Sequence, residues 1–156
     1  MKVSELIRKE FVKLDLRARS KEEAIQQVAQ LAKQHPYMGD FPTFCRAMYE
    51  REANGSTSIG NGVAIPHART DQVKDMMLVV GRLVEGVKFE ETDVEPVRLV
   101  FLVGTPKRMV TDYLRLVGAL ARYLSDETLR KQLLEVSSPE ILVKMFEECE
   151  SRHHFG

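Results

Sequence analysis

The stretch Gly55-Ser-Thr-Ser-Ile-Gly-Asn-Gly-Val-Ala-Ile-Pro-His67-Ala-Arg69 is where residue types and spacing suit chemistry. It sets one histidine at the end of a short apolar run, after a loop of small residues rich in hydroxyls and backbone amides. Imidazole is the side chain whose neutral form is well populated near pH 7. A neutral ring nitrogen attacks a phosphoryl group when an acceptor holds the other nitrogen, so His67 suits a nucleophile that carries a group between partners. Pro66 fixes its own φ and has no amide, which stiffens the peptide leading into His67. A single histidine is more often structural than catalytic. Here it follows a strand-like run, at the end where α/β proteins place ligands. Phosphoryl transfer also needs positive charge and oriented donors. Arg51, Thr57 and Arg69 lie close in sequence and supply both. Ser56 and Ser58 fit turn chemistry better.

Other chemistries fit less well. The spacing Gly55-x-x-x-x-Gly60 resembles a phosphate loop, but Asn61 and Gly62 stand where that motif needs Lys and Ser/Thr. Gly60-Asn61-Gly62 reads instead as a tight turn feeding a Val63-Ala64-Ile65 strand. His35, His67, His153 and His154 share no ligand spacing with Cys or acidic residues, so no metal site is expected beyond adventitious binding at His153-His154. No G-x-S-x-G elbow is present. Asp71, Asp75, Glu90, Glu91, Asp93 and Glu95 read as exposed loop charges.

The elements that must position His67 follow from periodicity. Phe11–Leu16 alternates like a half-buried strand. Ser20-Lys-Glu-Glu23 is a capping box opening a helix whose apolar face is Ala24, Ile25, Val28, Ala29, Leu31 and Ala32, ending near His35-Pro36. A second helix runs from about Asp40 to Ala53, with Phe44, Cys45, Met48 and Tyr49 as its stripe and Asn54-Gly55 as its stop. Met76–Val84 and Val97–Val103 are nearly continuous apolar runs, as in central strands covered on both faces. Gly86–Glu90 reads as a short edge strand. The last third is helical. Tyr113 to Leu124 marks one helix and Leu129 to Leu134 another. A third starts at Ser138-Pro139 with Ile141, Leu142, Met145 and Phe146 buried. Residues 151–156 read as a frayed tail. The order predicts one α/β domain over residues 1–150, a small mixed sheet with helices on both faces.

The chain has 156 residues, 44% hydrophobic and 29% charged, which fits one core. Lys plus Arg and Asp plus Glu are 23 each, and this balance argues against a dedicated nucleic-acid binder. Cys45 and Cys149 show no metal or redox spacing and read as a reduced pair. The N-terminus has no apolar signal core, and no apolar run approaches a membrane span. The chain therefore reads as soluble and cytoplasmic.

Arg51-Glu-x-x-Gly55-Ser-Thr-Ser-Ile-Gly-Asn-Gly-Val-Ala-Ile-Pro-His67-Ala-Arg69 closely resembles the signature of the type-2 EIIA proteins of the bacterial phosphoenolpyruvate-dependent sugar phosphotransferase system. That family includes fructose, mannitol and nitrogen-regulatory branches. Gly81-Arg-Leu-x-x-Gly-Val-x-Phe89, Pro96–Val103 and Leu114–Leu124 extend the likeness over nearly the whole chain. The resemblance implies a three-layer α/β/α sandwich with a mixed sheet. It implies phosphorylation of His67, at Nε2, by the phosphocarrier HPr or a paralogue. Arg51 matches the arginine that helps hold the phosphoryl group, and Thr57 a hydroxyl position lining the site. Onward transfer to an EIIB cysteine, action on a regulatory target protein, or service in trans to the cytoplasmic part of a membrane transporter are the implied uses. No metal or organic cofactor is implied. Many members carry a second histidine at the start of the helix after the last central strand, and Tyr113 stands there in this chain. A phenol still donates a hydrogen bond to phosphate but carries no positive charge. The expectation is a transferase-type phosphoryl carrier, regulatory or with altered partners. The rival reading is a binding module of the same fold that signals without phosphorylation.

Overall fold

The structure, a computed structural model, describes residues 2–152. The elements in chain order are α1 (Val3–Leu6), β1 (Ile7–Leu16), α2 (Lys21–Ala32), α3 (Phe41–Ala53), β2 (Ser58–Gly60), β3 (Val63–Ala64), β4 (His67–Arg69), β5 (Met77–Val87), β6 (Val97–Thr105), α4 (Val110–Leu124), α5 (Glu127–Glu135) and α6 (Pro139–Arg152). The sheet runs β1-β5-β6-β3-β2, with β4 also on β6. β1 is parallel to β5, β5 antiparallel to β6, β6 parallel to β3 and β4, and β3 antiparallel to β2. Helices cover both faces, so the three-layer α/β/α sandwich is the observed architecture.

β5 over Met77–Gly81 and β6 over Leu99–Gly104 are continuously apolar because each face has its own core. Leu78, Val80, Leu99, Phe101 and Val103 pack under α4, α5 and α6 with Leu120, Leu133 and Phe146. Met77, Val79, Leu83, Val100 and Leu102 pack under α2 and α3 with Val28, Phe44 and Met48. Cys149 is buried in the first core and Cys45 half-buried against the second, so the sheet separates the two thiols and both are free. Gly104 is needed where the second core packs closely against β6. A Cβ there would come within 2.7 Å of Met77 Cε and 3.0 Å of Phe44 Cε2.

Several boundaries differ from the pattern. β1 begins at Ile7, not Phe11. Ile7 and Val12 enter the same core although they are an odd five positions apart, and an irregularity in the β1–β5 register between them makes this geometrically allowed. That shift also breaks the alternation by which the first turn of strand would be recognised. The expected edge strand over 86–90 is absent: β5 ends at Val87 and a loop follows. Asp93 is the reason. It is buried, not an exposed loop charge, and its carboxylate accepts from the Phe89 and Glu90 amides and the Ser58 hydroxyl. Burial opposes its ionisation, and these donors outweigh that and hold its pKa below the usual range.

The capping box of α2 is half formed. Ser20 accepts from the Glu23 amide, but the Glu23 carboxylate takes the Gln27 side chain. The second helix starts next to Asp40 as expected, and Asp40 caps it by accepting from the Thr43 amide. The buried stripe of α3 is Phe44, Met48 and Glu52, while Tyr49 is exposed. On α6 it is Leu142, Phe146 and Cys149, so Ile141, placed in the core by the sequence reading, is half exposed instead. α6 continues to Arg152, two residues into the expected tail. The rest of that tail, with His153 and His154, lies outside the described residues.

Candidate functional site

The site forms where one edge strand is broken in two. β3 and β4 lie end to end along the same side of β6, pairing with Leu99–Val100 and with Val103–Thr105. Ile65-Pro66 is the break between them. Proline has no N–H for the ladder, yet its carbonyl still accepts from the Val103 amide at 2.9 Å, so the chain stays attached to the sheet. The Gly60-Asn61-Gly62 turn that starts this edge holds all three residues at positive φ (84°, 58° and 77°), which sends β2 back antiparallel to β3. His67 thus opens its own short strand instead of closing the Val63–Ile65 run as the pattern suggested.

The break frees the Ile65 carbonyl to meet the His67 ring. His67 Nδ1 lies 3.1 Å from that oxygen. A carbonyl only accepts, so Nδ1 carries the proton and Nε2 holds the lone pair. Two donors converge on Nε2. Arg51 Nε, from the last turn of α3, donates at 3.1 Å. The Tyr113 hydroxyl, from the first turn of α4, stands at 2.7 Å and donates as well. The three side chains come from both helical layers and the sheet edge between them. Arg51 Nη1 also donates to the Gly55 carbonyl at 2.8 Å, which ties the guanidinium to the loop. A guanidinium carries more donors than these two bonds use.

Electrostatics favour the neutral ring. Burial lowers the His67 pKa. The Ile65 carbonyl and Glu52 oppose this, while the Arg51 and Arg69 charges add to it. Burial raises the Tyr113 pKa, against the pull of Arg51 and Arg69, so the phenol keeps its proton and stays a donor. A neutral imidazole with a defined lone pair, flanked by a cation and a phenol O–H, is a nucleophile already surrounded by donors for the anion it would receive.

The other expected residues are placed differently. Arg69 ends β4, exposed, and reaches the site through its charge. Ser56 accepts from the Ser58 amide and Ser58 donates to Asp93, so both serve the loop. Thr57 is buried, and its amide (2.8 Å) and hydroxyl (2.6 Å) both donate to the Glu52 carboxylate. Its hydroxyl proton is therefore committed to Glu52. Glu52 is the residue that pattern reading missed. The available signal was its position: it falls four residues after Met48, where α3 continues its buried stripe and an apolar residue would be expected.

Residues 5–149 match the family described as phosphoenolpyruvate-dependent sugar phosphotransferase system, EIIA 2. The fructose-specific EIIABC component of the phosphotransferase system of Bacillus subtilis is 32% identical over 148 residues, 95% of this chain. The chain spans only 23% of that protein's length. Among solved structures, the nitrogen regulatory protein IIA-Ntr of Neisseria meningitidis superposes with a TM-score of 0.85 at 28% identity, covering 92% of this chain and 98% of the other. The mannitol enzyme IIA of Escherichia coli, solved in complex with phosphorylated enzyme IIB, superposes with a TM-score of 0.78 at 25% identity, covering 89% and 95%.

Proposed function

The chain belongs to the phosphoenolpyruvate-dependent sugar phosphotransferase system EIIA 2 family, and from that premise we propose that His67 is its phosphoryl-carrying residue. The observation that carries this is the tautomer: Nδ1–H is committed to the Ile65 carbonyl and Nε2 faces Arg51 and Tyr113. Nε2 attacks the phosphorus of a phosphorylated HPr-like carrier. The N–P bond forms as the donor's bond to phosphorus breaks, and that electron pair returns to the donor. Nδ1 keeps its proton, and the Ile65 carbonyl accepts from an N–H made more acidic by the new substituent. Arg51 and Tyr113 move their hydrogen bonds from Nε2 to phosphoryl oxygens. Thr57 supports the site through Glu52 rather than by donating its hydroxyl to the anion.

The phosphoryl group then goes to an EIIB partner or remains as a signal to a regulatory target. A relative bound to phosphorylated enzyme IIB supports the first use, and a nitrogen-regulatory neighbour supports the second. Tyr113 favours a regulatory or altered-partner role, since a phenol adds no positive charge to draw an anionic intermediate onward. Service in trans to the cytoplasmic part of a membrane transporter is the same chemistry with a different partner. No helix among the described residues is long and apolar enough to cross a membrane.

The deciding experiment is phosphorylation from phosphoenolpyruvate with enzyme I and HPr, comparing wild type with His67→Ala. Acid-labile, base-stable phosphate on wild type and none on the variant is expected. No labelling of wild type by its native donors overturns the carrier and leaves a binding module of the same fold.

A further inference from the structure

Glu52 is a buried acid with three partners and no contact with His67 in this structure. Its carboxylate accepts from the Thr57 amide and hydroxyl and pairs with Lys21 Nζ at 3.0 Å. Its side chain is 6% exposed and that of Lys21 20%. Burying an acid at a helix stripe costs desolvation that a leucine there would avoid. What the acid adds is geometry. Arg51 and Glu52 are adjacent on α3, so about 100° of helix rotation separates them. One reaches the His67 ring and the other reaches under the loop that feeds it.

The bonds form a chain from Lys21 to the nucleophile. Glu52 grips Thr57 at two atoms. The Thr57 carbonyl accepts from the Ile65 amide at 3.0 Å. The Ile65 carbonyl accepts from His67 Nδ1. The peptide that fixes the ring's tautomer is thus itself held from behind. Lys21 starts α2, Glu52 lies in the last turn of α3 and Ile65 lies at the sheet break, so the chain of bonds links two helices to the broken sheet edge. The ammonium of Lys21 also lies over the Phe89 ring, 5.5 Å from its centroid, which fixes the far end.

We propose that Glu52, anchored by Lys21, is a positioning residue that sets the protonation geometry of His67 through Thr57 and the Ile65 carbonyl. This rests on His67 being the phosphoryl acceptor. Loss of Glu52 lets Thr57 and Ile65 shift and leaves the Nδ1–H partner misplaced. The ring then populates the tautomer with its proton on Nε2, which is no nucleophile at that atom. The effect falls on the transfer step and not on recognition of the donor, because Glu52 and Thr57 are both buried.

The test combines Glu52→Gln, Thr57→Val and Thr57→Ser in the full chain. Imidazole ¹⁵N shifts are recorded without any donor, and single-turnover phosphorylation by phosphorylated HPr is measured separately. Glu52→Gln and Thr57→Val are expected to mix the two tautomers and to slow transfer at least about tenfold at saturating donor, with KM changed less than about twofold. Thr57→Ser, which keeps both donors, is expected to restore both readouts. A folded Glu52→Gln or Thr57→Val with the wild-type ¹⁵N pattern and transfer rate overturns the proposal, as does a change confined to KM. Thr57→Val is nearly isosteric and carries the test if Glu52→Gln fails to fold. If wild type takes no phosphoryl group, the carrier reading fails, and the ¹⁵N comparison still decides the role of Glu52.

Discussion

His35 and His67 have matching neighbourhoods. Each ring lies beside a tyrosine: Tyr37 at 5.0 Å between centroids for His35, Tyr113 at 5.1 Å for His67. Each has an arginine near, Arg8 and Arg51, and burial lowers the pKa of both. They part at Nδ1. His35 Nδ1 accepts from the Tyr37 amide at 3.1 Å, so its proton sits on Nε2. The ring is 4% exposed and also packs against Phe11 at 4.7 Å. His67 Nδ1 meets a carbonyl and keeps the proton, which turns the lone pair toward two side-chain donors. Residue type, aromatic and arginine neighbours and pKa direction do not separate a structural histidine from a candidate nucleophile in this chain. The backbone group facing Nδ1 does.

The largest expected effect follows directly. His67→Ala removes all acid-labile phosphate. His35→Gln, which keeps an acceptor for the Tyr37 amide, is labelled at close to the wild-type rate. Labelling that vanishes in a folded His35→Gln would undo the comparison. Next in size is Arg51→Gln, expected to slow single-turnover phosphorylation on the order of a hundredfold, the scale for losing one preorganised donor to a developing anion. Arg51→Lys is expected to recover only part, because an ammonium cannot hold Nε2 and the Gly55 carbonyl in one fork.

Acid separates the two histidines through stability. His35 has its pKa lowered from 6.5 to about 4, by burial first and by the Arg8 charge second. The unfolded chain therefore binds a proton at higher pH than the folded one. The neutral-ring contribution is fully present above about 6.5 and is lost as pH falls through about 4. The loss amounts to at most about 3 kcal/mol at roughly 1.4 kcal/mol per pKa unit. Denaturant midpoints between pH 7.5 and pH 4 should fall less in His35→Gln than in wild type by that margin. Equal slopes would show that the ring charges without strain. Burial also holds the His67 pKa below its ordinary value, so loss of the neutral nucleophile should show in the transfer rate at lower pH than for a free imidazole.

The legible parts of the molecule are those decided by near neighbours. The glycine turn, the stiff Ile65-Pro66 peptide, the Asp40 cap and the apolar strands β5 and β6 all announce themselves in a few residues. Arg51 and His67 were legible as types. Their hydrogen bond depends on α3 ending against β4, which periodicity does not encode. Glu52 was illegible as a partner because an acid in a buried stripe looks like a helix surface charge until Thr57 and Lys21 are seen closing around it. Asp93 is the same case in a loop. The β1 register shift hid four residues of strand by breaking the period that reveals strands. The tautomer of His35 depends on a turn after α2 whose only sequence mark is Pro36.

Tyr113 gives the smallest effect and the sharpest one. Its hydroxyl is one of two donors on Nε2, and Arg51 remains when it is removed. Tyr113→Phe should therefore still be phosphorylated, about tenfold more slowly, with the phosphohistidine hydrolysing faster for want of a donor to its oxygens. Tyr113→His tests charge instead of hydrogen bonding. A histidine there gains a proton as pH falls below about 6.5, so transfer to a phosphotransferase EIIB should acquire a pH-dependent step that the wild-type phenol does not supply. Wild type holds a neutral phenol throughout this range, because burial pushes the Tyr113 pKa up from the ordinary phenol value. If Tyr113→His matches wild type in phosphorylation, onward transfer and pH profile, the residue facing Nε2 from α4 carries no functional weight. The contrast with His35 would then rest on Arg51 and the Ile65 carbonyl alone.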